Sequence, residues 1–299
     1  MSFHDELCFV QFMHPGGEHW PDRNGYMAWN QRGHRRKFIE NTGRCHGASS
    51  NEPVRFWAEW EPESRATEIA QPLDDGPRVV HRPYYVVPES FQRLQNTDPL
   101  VFGGFYYTAC QQRTRRGATQ LRHLKRGSVI LFGSCVRNQF AIDTVFVVEG
   151  WKDHNARNFR ACLKDQVPEA YYDITLDPWY SNDEVAGPCG ASTCGAATPD
   201  SWRLYFGATV DNPVDGMFSF FPCMPANQCP RGFARPVIEL PGAITHSLRQ
   251  GKRLNRGLLP GQLTEYWKCV RKKVESSGLR LGVHADMPAR GVGRAEPSK

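Results

Sequence analysis

The densest group of side chains able to do chemistry lies near the start of the sequence, in His14-Pro15-Gly16-Gly17-Glu18-His19, followed by Trp29-Asn30 and His34-Arg35-Arg36-Lys37. Imidazoles titrate near neutrality, and a carboxylate beside them can orient a general base or help to hold a metal. His14, Glu18 and His19 therefore form the candidate catalytic set, although a His-x4-His loop fixes less geometry than two histidines on a helix. The glycines permit a tight turn whose backbone N–H groups face outward, a cradle for an anion. The run 34–37 joins an imidazole to three permanent cations, enough to grip a phosphate if the fold turns them inward. Asn30, His34, Arg35 and Arg36 are thus candidate phosphate or nucleic-acid contacts. The competing reading is plainer: a solvated basic face, Trp29 in the core and Glu18 paired with a nearby arginine.

A second polar string, Phe56-Trp57-Ala58-Glu59-Trp60-Glu61-Pro62-Glu63, alternates in strand fashion. Glu59 or Glu61 could face the same pocket as His14; the alternative is an edge strand with both carboxylates in solvent. Further on, Arg113, Arg115, Arg116, Arg122, Lys125 and Arg126 stand near Tyr106 and Tyr107. Cations contact phosphates and aromatic faces stack on bases, so Arg115, Arg116 and Tyr107 join the candidate nucleic-acid set; against this, the tyrosines could be core residues beside a cationic loop. Asp143 inside an apolar strand is either paired, functional, or turned to solvent by strand alternation.

Ten cysteines are present. The sequence lacks a basic segment followed by an apolar one at its start, and it has no apolar window of membrane-spanning length. A cytoplasmic protein with reduced thiols is therefore expected. Cys8, Cys110, Cys135, Cys162 and Cys269 read as buried small hydrophobes. Cys189, Cys194, Cys223 and Cys229 are clustered in loop-like sequence and could hold a tetrahedral structural zinc; a redox pair and unconnected loop cysteines are the other readings.

The elements that must position these residues are mostly strands. Apolar runs predict strands at Leu7 to Met13, Val54 to Trp60 and Tyr84 to Val87, and a hairpin from Ser128–Ser134 and Phe140–Val148. Tyr266, Val270 and Val274 at helical spacing predict a helix from Leu263 to Glu275. The expected fold is α+β: a mostly antiparallel β-rich core, as a partly open barrel or mixed sheet, with peripheral helices and a C-terminal helix. One body is expected over 1–245, with a sub-boundary near 97, then a basic helical segment over 246–285 and a disordered tail over 286–299. The charge of +6 is uneven: 12 Lys/Arg against 4 Asp/Glu from Arg249 onward make that end +8 and leave the body at −2. Net charge is thus weak support for a polyanionic partner, and the local clusters around Arg35 and Arg115 are stronger.

The segment Leu121-Arg122-His123-Leu124-Lys125-Arg126-Gly127, leading into Ser128–Ser134 and then Phe140–Val148, is similar to small β-barrels of the PUA, ASCH and EVE type. From Gly127 through Val145 it also resembles nucleotide-modification-associated domains. The resemblance implies a nucleic-acid or modified-base pocket lined by these strands. Taken together, the expectation is a nucleic-acid- or nucleotide-associated protein engaged in base modification or its recognition, with the site in the loop from His14 to Lys37. Two alternatives stand beside it. One is an enzyme of nucleotidyl, glycosyl or ADP-ribosyl transfer using the His-Glu-His cluster; the other is a non-catalytic protein-interaction module. No Walker loop, Rossmann fingerprint or zinc-deaminase signature is present.

Overall fold

A computed structural model describes residues 4–22, 24–114, 117–181, 201–248 and 250–291. The architecture is β-rich α+β, organised as two large sheets and a two-stranded ribbon. The first sheet has six strands in the order β14 (Gly251–Arg256), β1 (Cys8–His14), β10 (Val129–Val136), β11 (Gln139–His154), β12 (Trp202–Gly207) and β7 (Tyr106–Tyr107). The second has seven: β15 (Arg280–Ala285), β13 (Phe221–Pro225), β4 (Glu52–Ala58), β3 (Lys37–Cys45), β6 (Val79–Pro83), β5 (Ser64–Glu68) and β2 (Tyr26–Met27). A further pairing of β15 with β3 closes β3, β4, β13 and β15 into a small four-stranded barrel. The ribbon is β8 (Arg113–Thr114) with β9 (Gly117–Ala118).

The run Cys8-Phe9-Val10-Gln11-Phe12-Met13-His14 is buried throughout because β1 lies between β10, in parallel, and β14, antiparallel, with core on both faces. Strand alternation divides the side chains between two cores. Val10, Phe12, Ile130, Phe132 and Phe146 enter one, while Phe9, Met13, Val129, Leu131 and Val145 enter the other. The expected hairpin is present: β10 and β11 pair antiparallel through Arg137 and Asn138, both at positive φ, as a tight primed turn requires. The C-terminal helix spans Pro260–Ser276 and buries Leu263, Trp267, Val270 and Val274 against the second core. Among the described residues, no helix is long and apolar enough to cross a membrane.

Three expectations are corrected. The strand predicted at Tyr84 to Val87 lies earlier, at Val79–Pro83, where it reaches both β5 and β3; one further bond, Tyr84 N–H to Glu63 O at 3.1 Å, follows before the chain leaves β5. The segment 246–285 is not a helical appendage, since β14 flanks β1 and β15 closes the barrel. Residues 286–291 are tied to the body through Asp286 N–H to Thr42 O (2.8 Å) and Gly291 N–H to Tyr85 O (2.7 Å); the rest of the predicted tail lies outside the described residues.

Candidate functional site

The ends of β1, β3 and β4 converge. After His14 the chain folds back over β10, and the approach is close enough that a Cβ at Gly16 would meet Cys135 O at 2.7 Å. Backbone bonds from Arg36 N–H to Gly17 O and from His19 N–H to Arg36 O, both 2.9 Å, join this loop to the residues entering β3. The Glu18 carboxylate accepts from the N–H groups of Arg78 (3.0 Å) and Val79 (3.2 Å). Burial raises its pKa, and the two backbone donors oppose that rise. Glu18 thus anchors the loop to β6.

Arg36 is the hub beneath the loop. It is buried, and its guanidinium donates to Glu59 Oε2 at 2.7 Å and Asp143 Oδ2 at 2.6 Å and contacts His14 Nδ1. Asp143 reaches it because of a bulge: Phe132 pairs with Thr144 and Gly133 with Ile142, leaving Asp143 as the extra residue of β11. Arg235, stacked over Trp57, lies against the other Asp143 oxygen at 3.4 Å. This corrects the phosphate-contact expectation for Arg36, whose donors are committed inside the protein. His14 sits in the same interior. Burial first, and then the Arg36 charge, press its pKa well below the ordinary value, so it is neutral. Its Nε2 is buried without a hydrogen-bond partner.

Above this hub opens a cleft of about 710 Å³, whose lining includes Glu18, His19, Trp20, Asn30, Arg32, His34 and Arg35. Its chemistry centres on His34. The Nδ1 atom lies 3.0 Å from Glu59 Oε1 and 3.0 Å from Glu61 Oε1, and both carboxylates are buried. Burial alone would lower the His34 pKa, but the Glu59 charge and the hydrogen bonds to both carboxylates outweigh it and raise it well above the ordinary value. Glu59 is correspondingly held low by His34 and Arg36 against the effect of burial. Asn30 donates to Glu61 Oε2 at 2.5 Å, and the Asp98 backbone N–H donates to Glu59 Oε1 at 3.1 Å. His19 Nε2 lies 3.8 Å from Glu61 Oε2 with no hydrogen-bond partner, and burial followed by the Lys37 charge lowers its pKa to about 3. Lys37 is itself buried, donates to Pro62 O at 3.0 Å, and is pushed down by burial to about 8.

One atom each from His34, Glu59 and Glu61 lies within 4.8 Å of the others, so these three residues could hold a metal ion. They are the only such group among the described residues. Of the proposed zinc ligands, Cys189 and Cys194 lie outside the described residues. Cys223 belongs to β13, not to a loop, and its Sγ lies 3.5 Å from that of Cys45. Cys229 Sγ lies 3.3 Å from Pro225 O. Of the five cysteines expected in the core, Cys8 and Cys162 are buried, Cys110 and Cys135 are half-buried, and Cys269 is exposed.

The second basic region does not form a stacking surface around Tyr107. That ring is fully buried, its hydroxyl donates to Cys110 O at 2.6 Å, and it stacks on Tyr205 at 5.8 Å. A base cannot reach it, which corrects the expectation. Arg122 is buried against Ser201 and Asp153, and Arg113 lies over Trp202. Arg115 and Arg116 lie outside the described residues.

The structure therefore brings together Glu18, His19, Asn30, His34 and Arg35 around one cleft, with His14 and Arg36 behind it. Sequence reasoning weighed Glu59, Glu61 and Asp143 without placing them. It missed Trp20 and Arg32 as cleft residues and Arg235 and Asp98 as support. No family model, curated protein or solved structure matches this chain.

Proposed function

We propose that the protein is an enzyme acting on a nucleotide unit, free or within nucleic acid, held in the His34 cleft. The observation that carries this reading is a single imidazole nitrogen, His34 Nδ1, 3.0 Å from each of two buried carboxylates at the wall of an open cleft. A carboxylate that holds one imidazole nitrogen fixes the tautomer and orientation of the ring and leaves the other nitrogen to move a proton. Nε2 of His34 then acts as general acid or base. Trp20, 56% exposed at the cleft, offers a face for a base, while Arg32 and Arg35 offer charge for phosphate. The resemblance of the β10–β11 hairpin to nucleotide-modification-associated domains points the same way. The reactions in keeping with this arrangement are base modification and transfer of a nucleotidyl, glycosyl or ADP-ribosyl group, each of which needs a proton placed on or taken from one reacting atom.

A second reading is favoured by the convergence of His34, Glu59 and Glu61 within 4.8 Å. In it His34, Glu59 and Glu61 would hold a divalent cation, zinc among others, and the ion would supply an activated water to the bound substrate.

The test is titration of the full chain with a panel of nucleotides, dinucleotide cofactors and short oligonucleotides, followed by tryptophan fluorescence. Binding is expected to quench Trp20, to weaken with salt, and to fall at least tenfold in Arg35→Ala. Absence of binding across the panel, or binding indifferent to both Trp20→Ala and Arg35→Ala, overturns the reading.

A further inference from the structure

We infer that the substrate is a single-stranded polynucleotide that crosses edge strand β2, with one nucleotide in the His34 cleft and its neighbour on the row Tyr26–Arg65–Arg82. This rests on the cleft being a nucleotide site and names the polymer that fills it. The register places the row: Tyr26 pairs with Arg65 across β2 and β5, and Arg65 pairs with Arg82 across β5 and β6. Residues paired directly across a sheet share one face. These three line a groove of about 410 Å³ together with Tyr84. Successive strand residues take opposite faces, and Met27, next to Tyr26, lines the cleft. The two depressions therefore open on opposite faces of β2.

The charge arrangement of the row points to an anion. Two like charges directly opposite each other destabilise a sheet. Arg82 is answered by Glu40, through Nε to Oε1 at 3.0 Å, but Glu40 also receives Arg55 at 2.8 Å. Arg65 is exposed, and no carboxylate pairs with it among the described residues. A phosphate over the row would take up the uncompensated charge, and tyrosine faces beside it suit bases. The ridge is held in place: Asp22 Oδ1 accepts from the N–H groups of Asn24 and Tyr26, both at 2.9 Å, and Ala66 N–H donates to Gly25 O at 2.7 Å. A base enters the cleft only when it is unpaired, and a single strand presents one without the cost of unstacking and unpairing it from a duplex.

The experiment measures binding of the full chain to labelled single-stranded DNA and RNA of one, two, four and eight nucleotides, with a duplex of the longest sequence alongside. Affinity is expected to rise at least tenfold from one nucleotide to four. Arg65→Ala/Arg82→Ala should remove most of that gain while leaving mononucleotide affinity within twofold. It should also reduce the slope of log affinity against log salt by about 0.7, corresponding to one phosphate on a single strand. Arg65→Ala alone, which leaves the Glu40 pairs intact, should remove part of the gain. Equal affinity for one and four nucleotides, an undiminished gain in the double variant, or tighter binding of duplex overturns the inference while leaving the nucleotide cleft standing. Failure of mononucleotides and oligonucleotides alike overturns both.

Discussion

Arg36 and Asp143 stand 107 positions apart in sequence, yet Nε of one and Oδ2 of the other meet at 2.6 Å in the interior. This pair fastens the barrel, through the start of β3, to the long hairpin of the other sheet. Its remaining bonds reach outward: Arg36 also binds Glu59, which holds His34 at the cleft. The geometry of the proposed acid–base group is thus set by an ion-pair network behind it.

Arg36→Ala is expected to cost about 3–5 kcal/mol, because it leaves Glu59 and Asp143 as buried charges without their main partner. Arg36→Lys should recover only part of this, since an ammonium cannot reproduce the fork that reaches both acids. Urea unfolding measures both. A loss below about 1 kcal/mol for Arg36→Ala, on the scale of an exposed pair, would show that the network does not hold the two sheets together.

Gly133→Ala tests the bulge that aims Asp143. A Cβ at this position would meet Ala141 O at 2.3 Å, a backbone atom that cannot swing aside. The expected cost is about 1–3 kcal/mol, the usual range for overpacking a tight interior, and the displaced hairpin should also weaken nucleotide binding through Asp143 and Arg36. A variant with unchanged unfolding midpoint and unchanged binding would refute this coupling.

How much of this was legible in the sequence follows from what each segment buries. β1 and the β10–β11 hairpin could be read from continuous apolar runs of strand length, and the C-terminal helix from apolar residues at helical spacing. β14 and β15 could not: Gly251–Arg256 has three cations in six residues and is only partly buried, Arg280–Ala285 is short with few large apolar residues, and the pairing partners of both are distant in sequence. At the site, the density of His, Asn, Glu and Arg located the loop. Composition could not separate Arg35, which lines the cleft, from Arg36, which is buried beside it. Glu59 and Glu61 read more readily as exposed edge residues. β4 ends at Ala58, and the chain beyond it turns both carboxylates inward, a tertiary fact with no local signature.

The buried histidines predict acid sensitivity. His154 lies between the hydroxyls of Thr108 and Tyr180, both at 2.8 Å, and burial first, then Arg122, lowers its pKa to about 3. Its folded pKa is below its unfolded value of 6.5, so the unfolded chain binds the extra proton. The stability this residue contributes is complete above that unfolded value and is lost as pH falls toward the folded one, at about 1.4 kcal/mol per pH unit. By pH ~5 the loss from His154 is about 2 kcal/mol. His19 and His81 shift in the same direction. Urea midpoints between pH ~5 and ~7.5 should therefore fall on acidification, and His154→Gln should flatten the slope. An identical slope in that variant would remove His154 from the account.

The chemistry at His34 separates from structure by a pair of substitutions and a chelator. His34→Gln keeps a polar group beside Glu59 and Glu61, yet cannot carry a proton on Nε2. Turnover on any nucleotide substrate that the binding panel identifies should fall by about 10²–10⁴, the range for loss of a general acid or base, with substrate affinity little changed. Glu61→Gln should weaken turnover less, because Glu59 still holds Nδ1 at 3.0 Å. If His34 works through a proton, exhaustive chelation leaves wild-type turnover intact. Added zinc then inhibits it, because the ion takes the same nitrogen and carboxylates. Turnover that vanishes with chelator and returns with a divalent cation would instead make His34, Glu59 and Glu61 metal ligands. Calorimetry would then show one bound ion in the wild type and none in His34→Gln.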